Sequence, residues 1–296
     1  MDAAIHVTMD RLELLTDEAQ TVVRELDALV RSMHARKVYP GSWYGTVPPP
    51  LFSRAYLRYL IGRVTGRDHE DYWKVGYELR GEDYEPLPGA ADDGRLPWYQ
   101  YWQVVWAVLR GPALTPGMVV LDAGGASSLL SCLLASRGIT VCAVDINARL
   151  VRNAQRIAQT MRWPMQAYVM PVERTGFPAR FFEHAYALAL FHHLSERQRM
   201  EALDELHRCL KPGGRLSATF DYRNPAPYQW ERRDFVDGQG FSSEEDIRRV
   251  FTARQRFRLV GDARFVDRGA SPFVHEARPG VRYTFAGVGL ASTGGA

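Results

Sequence analysis

The feature that most constrains this chain is the change of pattern after Pro116-Gly117. From there, apolar runs of strand length alternate with stretches whose apolar residues recur every three or four positions. The spacing predicts strands at Met118–Asp122, Val141–Asp145, Ala167–Met170, Ala185–Phe191 and Arg215–Asp221. It predicts a helix over Ser128–Ser136, ending at Gly138, and another with Leu150, Val151, Ala154, Ile157, Ala158 and Met161 on one face. Ser195 and Gln198 form a capping box for the next helix, and Ser242 with Glu245 cap a later one. Phe257–Phe265 and Arg282–Leu290 read as two final strands. Strands that alternate with helices imply a largely parallel sheet covered on both faces, here with seven strands.

The first 110 residues read differently. They carry helical and aromatic signals and no sheet signal. In a helix over 9–37, Leu15, Ala19, Val22, Leu26, Leu29 and Met33 form one stripe at coiled-coil spacing. Such a stripe packs on its own protein or pairs two copies, and both readings stay open. A helix over 51–65, a loop or lid over 81–97 and a helix over 98–110 follow. Trp43, Tyr44, Trp73, Tyr77, Trp98, Tyr99, Tyr101 and Trp102 supply the material for a lid over a ring-bearing or hydrophobic ligand. The expected division is a helical extension over 1–110, an α/β domain over 111–292 and a frayed tail over 293–296.

Composition excludes several classes. The net charge is +3, and of 37 basic residues only Lys37, Lys74 and Lys211 are lysines. An arginine bias without a dense basic run disfavours a nucleic-acid partner. Cys132, Cys142 and Cys209 form no CxxC pair. His207 and Cys209 stand two apart on a helix and face different directions, so no metal site is expected. No apolar run reaches the roughly 20 residues of a membrane span, and no secretory signal opens the chain. The expectation is a cytoplasmic protein.

The chemistry centres on Val119-Val120-Leu121-Asp122-Ala123-Gly124-Gly125-Ala126-Ser127-Ser128. A buried strand ends in an acid, and a turn of small residues leads into a helix. Small residues admit a ligand close to the backbone, and a helix start offers free N–H groups. Asp145 ends the second strand, where an acid can hold both hydroxyls of a ribose.

With these elements the sequence resembles the class I S-adenosylmethionine-dependent methyltransferases over about residues 98–290. Leu121-Asp122-Ala123-Gly124-Gly125 matches the first motif, and Asp145 the ribose-binding acid. Pro171 through Pro178 falls at the adenine-binding segment. Phe182-Glu183-His184-Ala185 enters the fourth strand, Leu190-Phe191-His192-His193-Leu194 ends it, and Leu210 through Leu216 turns into the fifth. The resemblance implies a Rossmann-like methyltransferase sheet with helices on both faces, the final two strands forming an antiparallel hairpin, and a helical lid. It implies S-adenosyl-L-methionine as cofactor, bound by Asp122, Ala123, Gly124, Gly125, Asp145, Ile146, Val172, Glu173, Leu190 and Tyr101.

There are departures. Ala126 and Ser128 stand where the family has two further glycines, and Pro171 stands where an acid often binds the adenine amino group. His192 and His193 are the candidates for a general base, although a sulfonium is already activated and its transfer needs none. No Asn-Pro-Pro-Tyr-type sequence follows the fourth strand, which argues against amino-methylating enzymes of DNA bases and glutamine. The implied function is methylation of a small, aromatic or hydrophobic molecule, at oxygen before nitrogen or carbon. The alternatives are a cofactor-binding protein without methyl transfer (a cyclase or accessory subunit) and a peptide or protein methyltransferase. A homodimer through the N-terminal helix is a further expectation.

Overall fold

The structure is a computed structural model that describes residues 6–41, 98–222, 227–228, 238–239, 241–268, 273–274 and 282–293. In chain order the elements are β1 (Val7–Thr8), α1 (Asp17–Ala35), α2 (Trp98–Arg110), β2 (Val119–Ala123), α3 (Leu129–Ser136), β3 (Thr140–Asp145), α4 (Ala148–Met161), β4 (Met165–Val169), β5 (Phe182–Leu188), α5 (Glu196–Cys209), β6 (Leu210–Tyr222), β7 (Pro227–Tyr228), β8 (Gly238–Gln239), α6 (Glu244–Thr252), β9 (Phe257–Leu259), β10 (Phe273–Val274) and β11 (Arg282–Ser292).

One sheet of nine strands runs in the order β1-β11-β6-β5-β2-β3-β4, with β9 and β10 also paired to β11. β4, β3, β2, β5 and β6 are parallel, and β11 returns antiparallel to β6. Order departs from sequence between β2 and β5, so the C-terminal ends of those strands open a crevice for a ligand. Helices cover both faces. One apolar layer takes the buried faces of α1, α2, α3 and α4, and the other takes those of α5 and α6.

The expected seven strands are present as β2 to β6, β9 and β11, and β1 and β10 add to them. β1 was not anticipated. It has two residues, Val7 opposite Gly287 and Thr8 opposite Ala286, too few to show a period of two. The helix expected over 9–37 starts later, at Asp17. Asp10 caps a 3-10 turn over Arg11–Leu15, and Thr16 caps α1 by accepting from the Ala19 N–H. Ala19, Val22, Leu26, Leu29 and Met33 are buried inside the chain, so this stripe is not a seam left open for a second copy, and Leu15 lies outside it, half exposed.

The capping box of Ser195 and Gln198 forms as expected. The cap of α6 is Ser243 rather than Ser242, whose hydroxyl instead bonds Asp246. Strand β6 begins earlier than expected, at Leu210, with an irregular register: Phe182 pairs Leu210, but His184 pairs Arg215. Gly213 supplies the positive φ, 75°, that this detour requires.

The aromatic helix α2 packs across the sheet. Trp106 lies on β11 so closely that a Cβ at Gly287 would stand 2.4 Å from its ring. Glu13 ties this layer together: its carboxylate accepts from Trp102 Nε1 at 2.7 Å and pairs with Arg110 and Arg268. The helix expected over 51–65, the loop over 81–97, Trp43, Tyr44, Trp73 and Tyr77, and the side chains of Trp98 and Tyr99 lie outside the described residues.

Candidate cofactor and acceptor site

The turn after β2 is built on a buried acid. Asp122 is 1% exposed, and its Oδ2 accepts from Ser128 Oγ at 2.8 Å and Ser131 Oγ at 2.7 Å. Burial pushes its pKa up, and the two serine hydroxyls act in the opposite direction. Ser128 Oγ also caps α3, accepting from the Ser131 N–H. Asp122 Oδ2 therefore holds the turn to the start of α3. Ser128, at a position where a glycine was expected, is the link between strand and helix.

The glycines have definite reasons. A Cβ at Gly125 would lie 2.0 Å from the Asp122 carboxyl carbon. Gly124 has φ +74, and a Cβ there would meet Leu190 Cδ1 at 2.9 Å. Its N–H donates to the Val144 carbonyl at 2.8 Å, which fixes the turn to β3. Ser127 also adopts positive φ, 60°, and its buried hydroxyl has no hydrogen-bond partner among the described residues.

Asp145 ends β3 beside this turn. It is 3% exposed; Oδ1 accepts from the Asn147 N–H at 2.8 Å, and Oδ2 has no partner among the described residues. Burial raises its pKa to about 7, and the Asp122 charge adds to that. A buried carboxylate oxygen without a donor is costly, and a ligand that brings hydroxyl groups removes the cost. Beside it Ile146 is 49% exposed, an apolar platform for a flat ring. The Met170 N–H reaches the Asp145 carbonyl at 3.1 Å and brings the start of the 3-10 turn Val172–Arg174 to the same place. Val172 is buried there and Glu173 is half-buried.

The end of β5 carries the third part. Ala189 takes a left-handed φ of 53°, and its N–H donates to the backbone and hydroxyl oxygens of Thr219. That strained turn places Leu190 over Gly124. Thr219 Oγ1 donates in turn to Gln103 Oε1 at 2.9 Å. Gln103 of α2 is thus the helix residue bound to this end of the sheet. Tyr101, expected at the cofactor, donates its hydroxyl to Asp27 of α1 at 3.0 Å. The two differ because residues two apart on a helix face different sides.

His192 and His193 also part company. His192 Nδ1 accepts from the Asp221 N–H at 3.2 Å, and Nε2 stands 3.5 Å from Asp221 Oδ1. Both ring nitrogens face Asp221, so His192 is not placed as the base for an acceptor. Burial pushes the Asp221 carboxyl well up and the His192 imidazole well down, so the two form a neutral pair and not an ion pair. His193 is half-buried, its ring 4.1 Å from that of His192. Burial, then the Arg199 charge, lower its pKa to about 4. It is neutral at pH 7 but a weak proton acceptor. His207 and Cys209 are apart, the first on the Thr293 carbonyl and the second on Thr175.

The site thus combines a glycine turn a ligand can approach, a buried acid short of a donor, an apolar ledge and a second polar cluster three strands away. Residues 121–218 match the methyltransferase domain family. Those residues form a methyltransferase domain. No curated protein matches the sequence. Among solved structures, the [4+2]-cyclase SpnF is 15% identical, over 95% of this chain and 97% of its own, with a TM-score of 0.53. The MccD protein is 14% identical, over 65% of this chain and 96% of its own, with a TM-score of 0.50. The 1,6-didemethyltoxoflavin-N1-methyltransferase of Burkholderia thailandensis, solved with 1,6-didemethyltoxoflavin and S-adenosylhomocysteine, is 20% identical over 84% of this chain and 94% of its own, with a TM-score of 0.47. These likenesses concern the fold.

Three residues at the site escaped the sequence reading. Ser131 and Gln103 give no local signal. Asp221 does: it closes the strand whose Leu216, Ala218 and Phe220 alternate with Ser217 and Thr219, as Asp122 and Asp145 close theirs.

Proposed function

We propose that this methyltransferase domain binds S-adenosylmethionine across the ends of β3, β2 and β5 and methylates a small, hydrophobic or aromatic acceptor, at oxygen in preference to nitrogen or carbon. The observation that carries the placement is Asp145 Oδ2, buried and without a donor beside Gly124. Asp145 takes the ribose hydroxyls, Ala123, Gly124 and Gly125 admit the methionyl part close to the backbone, and Ile146 with Val172 and Glu173 flank the adenine. Leu190 covers the turn. S-adenosylmethionine supplies a methyl group already activated on a sulfonium. The protein's part is then to align an acceptor and exclude water, which suits the N-terminal aromatic residues as a lid.

Labelled S-adenosylmethionine, incubated with the protein and a cell extract, tests the acceptor class. Label is expected in the small-molecule fraction. Label confined to macromolecules would favour a peptide or protein acceptor, and no enzyme-dependent label would favour a cofactor-binding protein without transfer. With the acceptor in hand, His193→Ala is expected to leave S-adenosylhomocysteine affinity within about twofold and to lower turnover less than about tenfold. General-base loss removes about 10²–10⁴ in rate, so a drop of that size would restore His193 as the base.

A further inference from the structure

Two carboxylate oxygens among the described residues are buried without a hydrogen-bond partner: Asp145 Oδ2 and Asp221 Oδ1. Both belong to residues that close parallel strands at the same edge of the sheet, β3 and β6. A ribose accounts for the first. It does not account for the second, which lies three strands away in the order β6-β5-β2-β3, about 14 Å at ~4.8 Å per strand.

Among the described residues, no cation in contact with Asp221 compensates it. His192 meets it with both ring nitrogens. Behind that ring lie His193 and Arg199. The Arg199 guanidinium is committed elsewhere, with Nε donating to the Phe191 carbonyl and the group lying 4.7 Å over the Phe241 ring. From β11 the residue opposite is Phe285. Arg110, the one charged residue of α2, is turned to Glu13, and Tyr101 to Asp27. α6 brings Arg249, paired with Glu196 and Asp246.

A ligand with its ribose at Asp145 that crosses Gly124 toward Leu190 runs from the end of β3 toward that of β6. We infer that Asp221 is the counter-charge for the cofactor's sulfonium, a charge that the neutral product S-adenosylhomocysteine lacks. This rests on the cofactor placement proposed above. Asp122, the other buried acid nearby, already has two serine donors on its Oδ2. With the site empty, or holding the neutral thioether, Asp221 keeps its proton because burial disfavours the anion. A positive charge nearby in a partly polar interior favours the anion, so Asp221 ionises more readily with the sulfonium bound. The sign follows: S-adenosylmethionine binding weakens as pH falls, while S-adenosylhomocysteine binding lacks this dependence. His192 and His193 stay neutral over this range, because burial lowers both. Any contribution of Asp145 is common to the two ligands, since both carry the ribose.

Calorimetric titration of the intact wild-type protein with each ligand, between pH 6 and 8, tests this without an acceptor. The affinity ratio of S-adenosylmethionine to S-adenosylhomocysteine is expected to rise by several-fold with pH, and more protons are expected to be released with S-adenosylmethionine. In Asp221→Asn the ratio is expected to fall about tenfold and to become independent of pH, with S-adenosylhomocysteine affinity retained. A wild-type ratio that does not change with pH would overturn the inference even if the variant fails to fold. Absence of binding by both ligands would instead overturn the cofactor placement.

Discussion

Asp145→Asn is expected to weaken S-adenosylmethionine and S-adenosylhomocysteine binding by about 10–100-fold and, at the same time, to stabilise the ligand-free protein at alkaline pH. The two effects share one cause. The Asp145 carboxyl has a folded pKa of about 7, raised first by burial, above its ordinary value of 3.8. An acid whose pKa rises on folding favours the fold when protonated. Its ionisation costs stability, a cost that is absent below pH 4, grows toward pH 7 and is constant above. Hydroxyl donors from a ribose reverse this cost, and hydrogen bonds to a charged group contribute about 1.5–3 kcal/mol. Asparagine removes the charge and with it both the penalty and the gain. Thermal melts of both proteins at pH 5 and pH 8, with calorimetry of the ligands, check the pair of outcomes. A melting temperature raised at pH 8, raised by less at pH 5, and a weakened affinity are predicted. A variant that binds as tightly as the wild type would remove Asp145 from the site.

Gly125→Ala is expected to destabilise the fold by about 3 kcal/mol and to abolish cofactor binding. The new Cβ would stand 2.0 Å from the Asp122 carboxyl carbon, and the two oxygens are each 2.1 Å away. That carboxyl cannot swing aside without breaking its bonds to Ser128 and Ser131, which secure the start of α3. Overpacking of this kind costs typically 1–3 kcal/mol and leaves a buried acid short of donors besides. Urea unfolding measures it. Adding Asp122→Ala to Gly125→Ala should recover part of the loss, because the clash partner is gone. Wild-type stability in the single variant would show that the turn has room the structure does not give it.

These two positions also show how far the sequence was legible. Strand, acid and small-residue turn are local, so Asp122, Gly124, Gly125 and Asp145 could be located from spacing alone, and the structure brings the last three to one crevice. The role of Asp122 was not legible, because it depends on which way the carboxyl turns. Ser128 and Ser131 decide that, and they become neighbours only once α3 folds back. The same limit explains Tyr101 and Gln103. They sit two apart on one helix, and only the packing of α2 between Asp27 and Thr219 selects which meets the sheet. Strand β1 was hidden by its length, since two residues have no period, and it pairs with β11 at the far end of the chain. Asp221 was visible as an acid closing an apolar strand. Its significance depends on a partnerless oxygen, which no sequence displays.

The most direct test of the cofactor site is hydrogen–deuterium exchange of the intact protein with and without S-adenosylmethionine. Protection is predicted at 122–128, 145–147, 172–174 and 189–191, the four segments that the fold brings together at the ends of β2, β3, β4 and β5. Millimolar S-adenosylmethionine that leaves these segments unchanged, or protects a different face of the sheet, would contradict it.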